Sequence, residues 1–176
     1  MRFFLALITS LLAMPALALD LNTTFSNIDG GTHRLSDWKG QPVLVVNTAS
    51  LCGFTGQYDA LQKLHDTYSD RGLVVLAVPS DDFSQELGTE EEVKEFCELN
   101  YDLTLPMTGI THVKGAKAHP FYKSLAQETG FTPSWNFNKV LLNPRGEVVA
   151  TYGAPVKPMS RKITGQIEKL LSQTGG

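Results

Sequence analysis

The chain has 176 residues, of which 42% are hydrophobic and 19% charged, with a formal net charge of −3 and a pI near 5.8. This composition is typical of a globular protein, and the slightly negative charge argues against nucleic acid as the main partner. The sequence shows no nucleotide-binding glycine motif, and its four histidines have no metal-ligand spacing. We therefore expect no cofactor and no metal.

The first 18 residues have the pattern of a secretory signal peptide. Arg2 provides a positive start, an apolar run covers 3–12, and Ala16 and Ala18 form a small-x-small cleavage pattern. The run is too short to span a bilayer, although an uncleaved anchor or a buried strand is the alternative. We expect a periplasmic or secreted protein without an integral membrane span, in which residues 19–176 form a single domain.

The first half of the mature chain alternates strands and helices. Turn signals within 21–41 predict a small hairpin followed by a short turn or helix. Two continuous runs of mostly β-branched residues, 42–50 and 73–80, predict strands buried on both faces. Apolar residues at helical spacing between these runs predict a helix over 56–72 that stops at Gly72.

The second half adds a helix, a mixed segment and a hairpin. Thr89 followed by Glu92 is a capping box and predicts a helix start. We expect one face of this helix to hold Val93, Phe96, Cys97 and Asn100. Segment 105–113 is mixed, a short helix or strand. Beyond it the sequence predicts a helix that starts at Pro120, a β-hairpin over 138–153 and a closing amphipathic helix over 159–173.

This order of elements is that of the thioredoxin fold, an α/β fold with a central mixed sheet flanked by helices. The N-terminal β-hairpin is an extension of that fold. The order places Cys52 just beyond the first core strand, at the head of the first core helix. A thiol at a helix N-terminus meets free backbone N–H groups and the positive end of the helix dipole, which both favour the thiolate.

The neighbours of Cys52 indicate which thiol chemistry to expect. A disulfide-forming dithiol on this fold reads Cys-x-x-Cys, but Thr55 takes the second position here. An isolated thiolate is suited to attack the O–O bond of a peroxide, which gives a sulfenic acid. The alternative is that the two cysteines form one structural disulfide, as is usual for two cysteines in an exported protein.

Cys97 has two interpretations that the spacing does not separate. It lies in the helix that begins near Thr89, so it could attack a sulfenic acid on Cys52 and form a disulfide. It could equally be a buried apolar residue of that helix, since free cysteines are often buried.

Three segments resemble the glutathione peroxidase family: NTASLCGFTGQYDALQKLHDTYSDRGLVVLAVPSDDF, EEEVKEFCELNYDLTLPM and SWNFNKVLLNPRGEVVATY. The likeness covers roughly residues 22 to 172. It implies a thioredoxin-like fold and reduction of hydroperoxides, with Cys52 as the peroxidatic residue and Trp135 and Asn136 as its hydrogen-bonding partners. The segment with Cys97 is similar to the one that holds the resolving cysteine in the thioredoxin-dependent, non-selenium branch.

One position departs from the family pattern. Asp82 stands where the family has an active-site glutamine. An ionised carboxylate only accepts hydrogen bonds, and its charge opposes a nearby thiolate. Asp82 could be protonated and donate, it could point away while another group substitutes, or the site could be slower. Gln85 is near enough in sequence to supply the missing amide.

The resemblance also bears on assembly and reductant. Only Phe131-Thr132-Pro133 stands where tetrameric members carry an oligomerising insertion, which implies a monomer with an open site. Open members accept bulky hydroperoxides, including those of lipids. The glutathione-binding charges of the selenium enzymes have no clear counterpart, so a thioredoxin-like dithiol is favoured over glutathione as reductant.

These observations predict a two-cysteine thiol peroxidase in which Cys97 resolves the Cys52 sulfenic acid. Trp135, Asn136 and Asp82 complete the predicted site. Two other hypotheses remain open: a peroxide sensor or relay with slow turnover, and a non-catalytic binding module that keeps the fold.

Overall fold

A computed structural model describes residues 19–174 of the chain, so the predicted signal peptide lies outside the described residues. Within that range, no helix is both long and apolar enough to cross a membrane. The elements in chain order are β1 (Thr24–Ser26), β2 (Thr32–Arg34), a short 3₁₀ helix (Leu35–Trp38), β3 (Val43–Thr48), α1 (Gln57–Tyr68), a 3₁₀ turn (Ser69–Arg71), β4 (Val74–Pro79), α2 (Glu90–Tyr101), α3 (Pro120–Thr129), β5 (Lys139–Leu142), β6 (Val148–Tyr152) and α4 (Arg161–Thr174).

The central sheet is mixed, with strand order β4-β3-β5-β6. Strand β3 runs parallel to β4 and antiparallel to β5, so that Val46 lies opposite Ala77 on one side and Lys139 on the other. Every residue of β3, β4 and β5 is buried, as the continuous apolar runs of the two parallel strands predict. The predicted thioredoxin-like arrangement with a mixed sheet is confirmed.

Side chains alternate between the two faces of this sheet and form two cores. Leu44 and Val46 face a core shared with α1, α2 and α4, and this core also contains both cysteines. Val43 and Val45 face the second core, which α3 and the N-terminal hairpin cover. Because side chains alternate along β3, Leu44 and Val46 mark the face that α1, α2 and α4 cover. Val43 and Val45 mark the face that α3 covers.

The N-terminal hairpin is confirmed, and segment 105–113 explains how it is attached. This segment is neither a helix nor a regular strand. Instead Thr108 bridges to Asn27 of the hairpin and Met107 bridges to Ala77 of β4. The segment extends from the edge of the central sheet to the small β1-β2 sheet.

Helix α2 begins as the sequence predicts. The Thr89 hydroxyl accepts a hydrogen bond from the Glu92 backbone N–H, and the Glu92 carboxylate accepts one from the Thr89 N–H. The predicted face is correct for Cys97, which is buried, but wrong for Asn100, which is exposed. The Asn100 amide donates to the Phe96 carbonyl one turn earlier, so its polar group is satisfied at the surface of the last turn.

Candidate active site

Cys52 lies in the loop between β3, which ends at Thr48, and α1, which begins at Gln57. The prediction that Cys52 stands at the head of the helix is therefore wrong in detail. Two consecutive turns precede α1, and the Cys52 carbonyl accepts from the Thr55 N–H at 3.1 Å in the first of them. Since the effect of the helix dipole falls off within the first turn, nearby side chains and amides matter more than the dipole here.

The loop that carries Cys52 is held by segment 81–87, which follows β4. The Leu51 backbone N–H donates to the Gln85 carbonyl at 2.8 Å, and the Ser50 N–H donates to Glu86 Oε1 at 2.9 Å. Cys52 itself is only 4% exposed and belongs to the buried core of this face of the sheet. Segment 81–87 therefore sets the position of the thiol relative to its surroundings.

Trp135 and Asn136 lie in the segment before β5, and the Trp135 ring lies 5.4 Å from the ring of Phe83 in segment 81–87. Asn47 at the end of β3 fixes the segment before β5, because its side chain donates to the Trp135 carbonyl at 2.9 Å and accepts from the Asn138 N–H at 3.1 Å. Phe137 has a φ of +58°, a strained value for a residue with a side chain. Trp135 is 40% exposed, whereas Asn136 is fully buried.

Gln85 joins the predicted group through Asn136. The Asn136 side-chain amide donates to Gln85 Oε1 at 3.2 Å. This contact fixes the orientation of the Gln85 amide, because its oxygen is the acceptor and its NH₂ must point the other way. That NH₂ has no hydrogen-bond partner within residues 19–174, so it is available to donate to a sulfur or a peroxide oxygen.

Asp82 faces away from this group. Its carboxylate accepts hydrogen bonds from the Val113 N–H at 2.6 Å and the Lys114 N–H at 3.0 Å, and it contacts His112 Nδ1 at 2.7 Å. Burial opposes ionisation of Asp82, but these hydrogen bonds outweigh it and lower the pKa of the carboxyl. A protonated, donating Asp82 is therefore disfavoured, and a catalytic role for it stays a prediction.

Glu86 is a buried carboxylate that no motif in the sequence indicates. It is 8% exposed, and its Oε1 accepts from the N–H groups of Ser50 and Leu87. Burial raises the pKa of Glu86 despite these hydrogen bonds. Glu86 thus ties the Cys52 loop to the segment that enters α2.

Cys97 lies on the core face of α2 and is 1% exposed. Both cysteines are free thiols in the structure. Burial raises the pKa of the Cys97 thiol to about 12, an effect that the nearby Tyr58 hydroxyl partly offsets. With α2 in place, Cys97 is a protonated thiol and a poor nucleophile.

The profile of the family described as glutathione peroxidase matches residues 21–126. The chain belongs to the glutathione peroxidase family. It is 41% identical to the "Glutathione peroxidase" of Lactococcus lactis subsp. cremoris over 82% of this chain and 94% of that protein. It is also 41% identical to the "Hydroperoxy fatty acid reductase gpx1" of Synechocystis sp. over 82% of this chain and 90% of that one.

A solved structure agrees with the fold. The crystal structure titled "Trgpx in apo form" superposes with a TM-score of 0.70 at 29% sequence identity, covering 89% of this chain and 97% of that chain. The predicted membership of the glutathione peroxidase family is confirmed by these relatives.

The structure brings some of the predicted residues together and separates others. Gln85 adjoins the Cys52 loop through its carbonyl and contacts Asn136, and Cys97 belongs to the same buried core as Cys52. Trp135 contacts Phe83, whereas Asp82 is bonded to 112–114. Asn47 was missed, although its place at the end of a buried strand directly before the cysteine loop is a signal that could have identified it. Glu86 gave no comparable signal, because its burial depends on contacts between distant segments.

Proposed function

We propose that this member of the glutathione peroxidase family is a thiol-dependent peroxidase that uses Cys52 as its peroxidatic residue. The observation that carries the proposal is the amide group at the Cys52 loop, where Asn136 orients Gln85 and leaves the Gln85 NH₂ free. Membership of the family supports a hydroperoxide as substrate and a thiol as reductant.

In the first step the Cys52 thiolate attacks one oxygen of ROOH. The S–O bond forms as the O–O bond breaks, and the leaving RO⁻ takes a proton to give ROH or water. Cys52 is oxidised to the sulfenic acid while the peroxide is reduced. Fixed donors around the developing negative charge lower the barrier, and we assign that role to Gln85, Asn136 and the Trp135 indole N–H.

In the second step Cys97 attacks the sulfenic sulfur of Cys52. The S–S bond forms, the S–O bond breaks, and the Cys97 proton leaves with the hydroxide as water. Because Cys97 is buried on α2, this step requires α2 to loosen and release the thiol. An external dithiol then reduces the disulfide by thiol–disulfide exchange.

We propose a thioredoxin-like dithiol as this reductant, with glutathione as the alternative. A disulfide between Cys52 and Cys97 suits a dithiol donor, because the donor's second thiol attacks the mixed disulfide within the same complex. This attack releases the peroxidase with two free thiols and the donor as its own disulfide. The test is the rate of peroxide turnover with each reductant at matched thiol concentration. Faster turnover with glutathione than with the dithiol would contradict this choice.

Stopped-flow measurement of peroxide loss tests the activity. Catalytic turnover with a dithiol is expected for the native protein and none for Cys52→Ser. Rapid stoichiometric oxidation without turnover would favour a sensor or relay instead. No oxidation of Cys52 at all would favour a binding module that has kept the fold.

Export and a monomeric state remain proposals. The signal pattern of residues 1–18 supports a periplasmic or secreted protein, and the N-terminal sequence of the protein recovered from its host tests it. The short Phe131-Thr132-Pro133 connection supports a monomer, which light scattering tests. A mature protein that starts at Met1 would contradict export. A mass four times that of one chain would contradict the monomer.

A further inference from the structure

The Glu86 carboxylate joins the loop of Cys52 to the segment that leads into α2. Its oxygen Oε1 accepts hydrogen bonds from the backbone N–H groups of Ser50 at 2.9 Å and Leu87 at 3.0 Å. Ser50 stands two residues before Cys52 in the chain. The carboxylate is therefore fixed beside the peroxidatic loop, which is where the Cys97 thiol must arrive to resolve a sulfenic acid.

The second oxygen of Glu86 has no structural task. Oε2 is buried and has no hydrogen-bond partner among residues 19–174. A buried acceptor without a donor costs free energy, so it is rarely kept without a reason. An oxygen that is free of donors is also the more basic one, because hydrogen bonds to a carboxylate favour its ionised form. Glu86 thus keeps one oxygen for the fold and one that can accept a proton.

Cys97 lies within the electrostatic reach of this carboxylate. Cys97 and Cys52 belong to the same buried core. Burial is the main reason why the pKa of the Cys97 thiol is raised to about 12, and the negative charge of Glu86 adds to that effect. This opposition disappears if Glu86 itself takes the thiol proton, because the negative charge then moves from the carboxylate to the sulfur.

The surroundings of Glu86 make it a stronger base than an exposed glutamate. Burial raises the pKa of its carboxyl, and the charge of Asp81 on the same segment adds to the rise. The other titratable groups near it are Tyr58 on α1 and Cys97 on α2. No lysine, arginine or histidine of residues 19–174 forms an ion pair with Glu86. A raised pKa brings a carboxylate closer to the value that suits proton transfer near neutral pH.

We propose that Glu86 is the general base of the resolving step and takes the proton of the Cys97 thiol as that sulfur attacks the sulfenic acid of Cys52. The S–H proton moves to the free oxygen Oε2, the S–S bond forms, and the S–O bond of Cys52 breaks. Glu86 then returns the proton to the leaving hydroxide, which departs as water. This inference rests on the proposed peroxidase function, with Cys97 as the resolving residue.

Glu86→Gln separates this chemical role from the structural one. The side-chain oxygen of glutamine still accepts from Ser50 and Leu87, but an amide does not take the thiol proton. Stopped-flow fluorescence measures the oxidation of Cys52, and acid quenching with thiol alkylation measures the disulfide. Glu86→Gln should slow disulfide formation about 100-fold more than it slows the oxidation, as expected for loss of a general base.

Asp81→Asn is the matched control for the removal of a charge. Asp81 is an exposed carboxylate whose Oδ1 accepts from the Glu86 backbone N–H at 3.1 Å. Asparagine keeps that acceptor and removes a charge next to Glu86. Because an exposed charge has little effect, the ratio of the two rates should stay within about threefold of its native value.

The pH dependence of disulfide formation is a readout that a purely structural role would not change. The native rate should be level between about pH 6.5 and pH 8, because Glu86 takes the proton throughout this range. In Glu86→Gln the rate should rise about tenfold per pH unit over the same range, since only the ionised thiol then attacks. Glu86→Asp keeps a carboxylate and should be slower than the native protein but equally level.

The outcomes separate this inference from the proposed function. A native rate that itself rises about tenfold per pH unit would overturn the role of Glu86, and this result does not depend on the folding of a variant. A loss in Glu86→Gln that is the same at every pH would leave Glu86 a structural residue and overturn the role too. Unchanged disulfide formation in Glu86→Gln would overturn this inference alone, whereas no oxidation of Cys52 in the native protein would overturn the peroxidase function with it.

Discussion

The side-chain amide of Asn136 donates a hydrogen bond to the side-chain oxygen of Gln85 across 3.2 Å. Asn136 is fully buried, so the contact is shielded from water and holds Gln85 in one orientation. Gln85 is also tied through its backbone, since its carbonyl accepts from the N–H of Leu51, the neighbour of Cys52. An amide thus adjoins the thiol loop although Asp82 stands where the family resemblance implies a glutamine.

Replacing Gln85 by alanine tests whether this amide acts on the reaction. Gln85→Ala should slow the oxidation of Cys52 by hydrogen peroxide about 100-fold, as expected for loss of one donor to developing charge. Asp82→Asn is the matched comparison and should change that rate by less than about threefold, because the Asp82 carboxylate is bonded to segment 112–114. Stopped-flow fluorescence measures both rates. A larger loss of rate in Asp82→Asn than in Gln85→Ala would assign the catalytic role to Asp82.

Asp82 should instead contribute to stability in a pH-dependent way. Its pKa is lowered in the folded protein, so its ionised form stabilises the fold at pH values above the unfolded pKa of about 4. That contribution is lost as the pH falls through the lower folded value. Asp82→Asn should therefore reduce the free energy of unfolding by about 1–3 kcal/mol at pH 7 and by much less below about pH 4.

Urea unfolding at a series of pH values measures this difference. Asp70→Asn serves as the control, because Asp70 is exposed and forms no side-chain hydrogen bond in the described part of the chain. If the gap between native protein and Asp82→Asn is constant from pH 7 to pH 3, Asp82 does not hold segment 112–114 as a carboxylate.

Loosening of α2 should limit formation of the disulfide. Thr89→Ala removes the side-chain acceptor of the capping box, which costs about 1 kcal/mol of helix stability. If the whole cost destabilises α2 in its closed position on the core, the population of molecules with α2 opened rises about fivefold. We expect the Cys52–Cys97 disulfide to form up to about fivefold faster, with no change in the preceding oxidation of Cys52.

Acid quenching followed by thiol alkylation and mass analysis measures this second step. The control is Glu95→Gln, an exposed change in the middle of the same helix. Hydrogen exchange should confirm that α2 opens more readily in Thr89→Ala. Faster exchange in α2 without faster disulfide formation would show that helix opening is not the limiting event.

Cys97→Ser separates the two chemical steps. The variant should consume one equivalent of peroxide at the native rate and then stop, because its sulfenic acid has no resolving thiol. Turnover with a thioredoxin-like dithiol should fall at least about 100-fold, as expected when a step loses its nucleophile. Unchanged turnover would mean that the external thiol reduces the sulfenic acid directly and that Cys97 is a packing residue.

The fold was largely predictable because its signals are local. The β-branched runs of β3 and β4 and the capping box at Thr89 each specify an element from neighbouring residues alone. Segment 105–113 could not be assigned, because single bridges to Asn27 and Ala77 define it. Those partners are distant in sequence and leave no periodic pattern in the segment itself.

The site was predictable only in part, for a similar physical reason. Cys52 was found from its place after a buried strand, and Trp135 and Asn136 from the family resemblance. Whether Asp82 or Gln85 faces the thiol depends on which backbone N–H groups each side chain meets, and those belong to distant segments. The family resemblance therefore suggested Asp82, while the contacts favour Gln85.

Mass spectrometry after one equivalent of hydrogen peroxide tests the central claim most directly, with free thiols alkylated before analysis. The account predicts that the native protein loses two alkylatable thiols and yields a peptide pair that joins Cys52 to Cys97. It predicts that Cys97→Ser retains a sulfenic acid on Cys52. Two fully alkylated thiols in the native protein after peroxide treatment would contradict the peroxidase mechanism proposed for this chain.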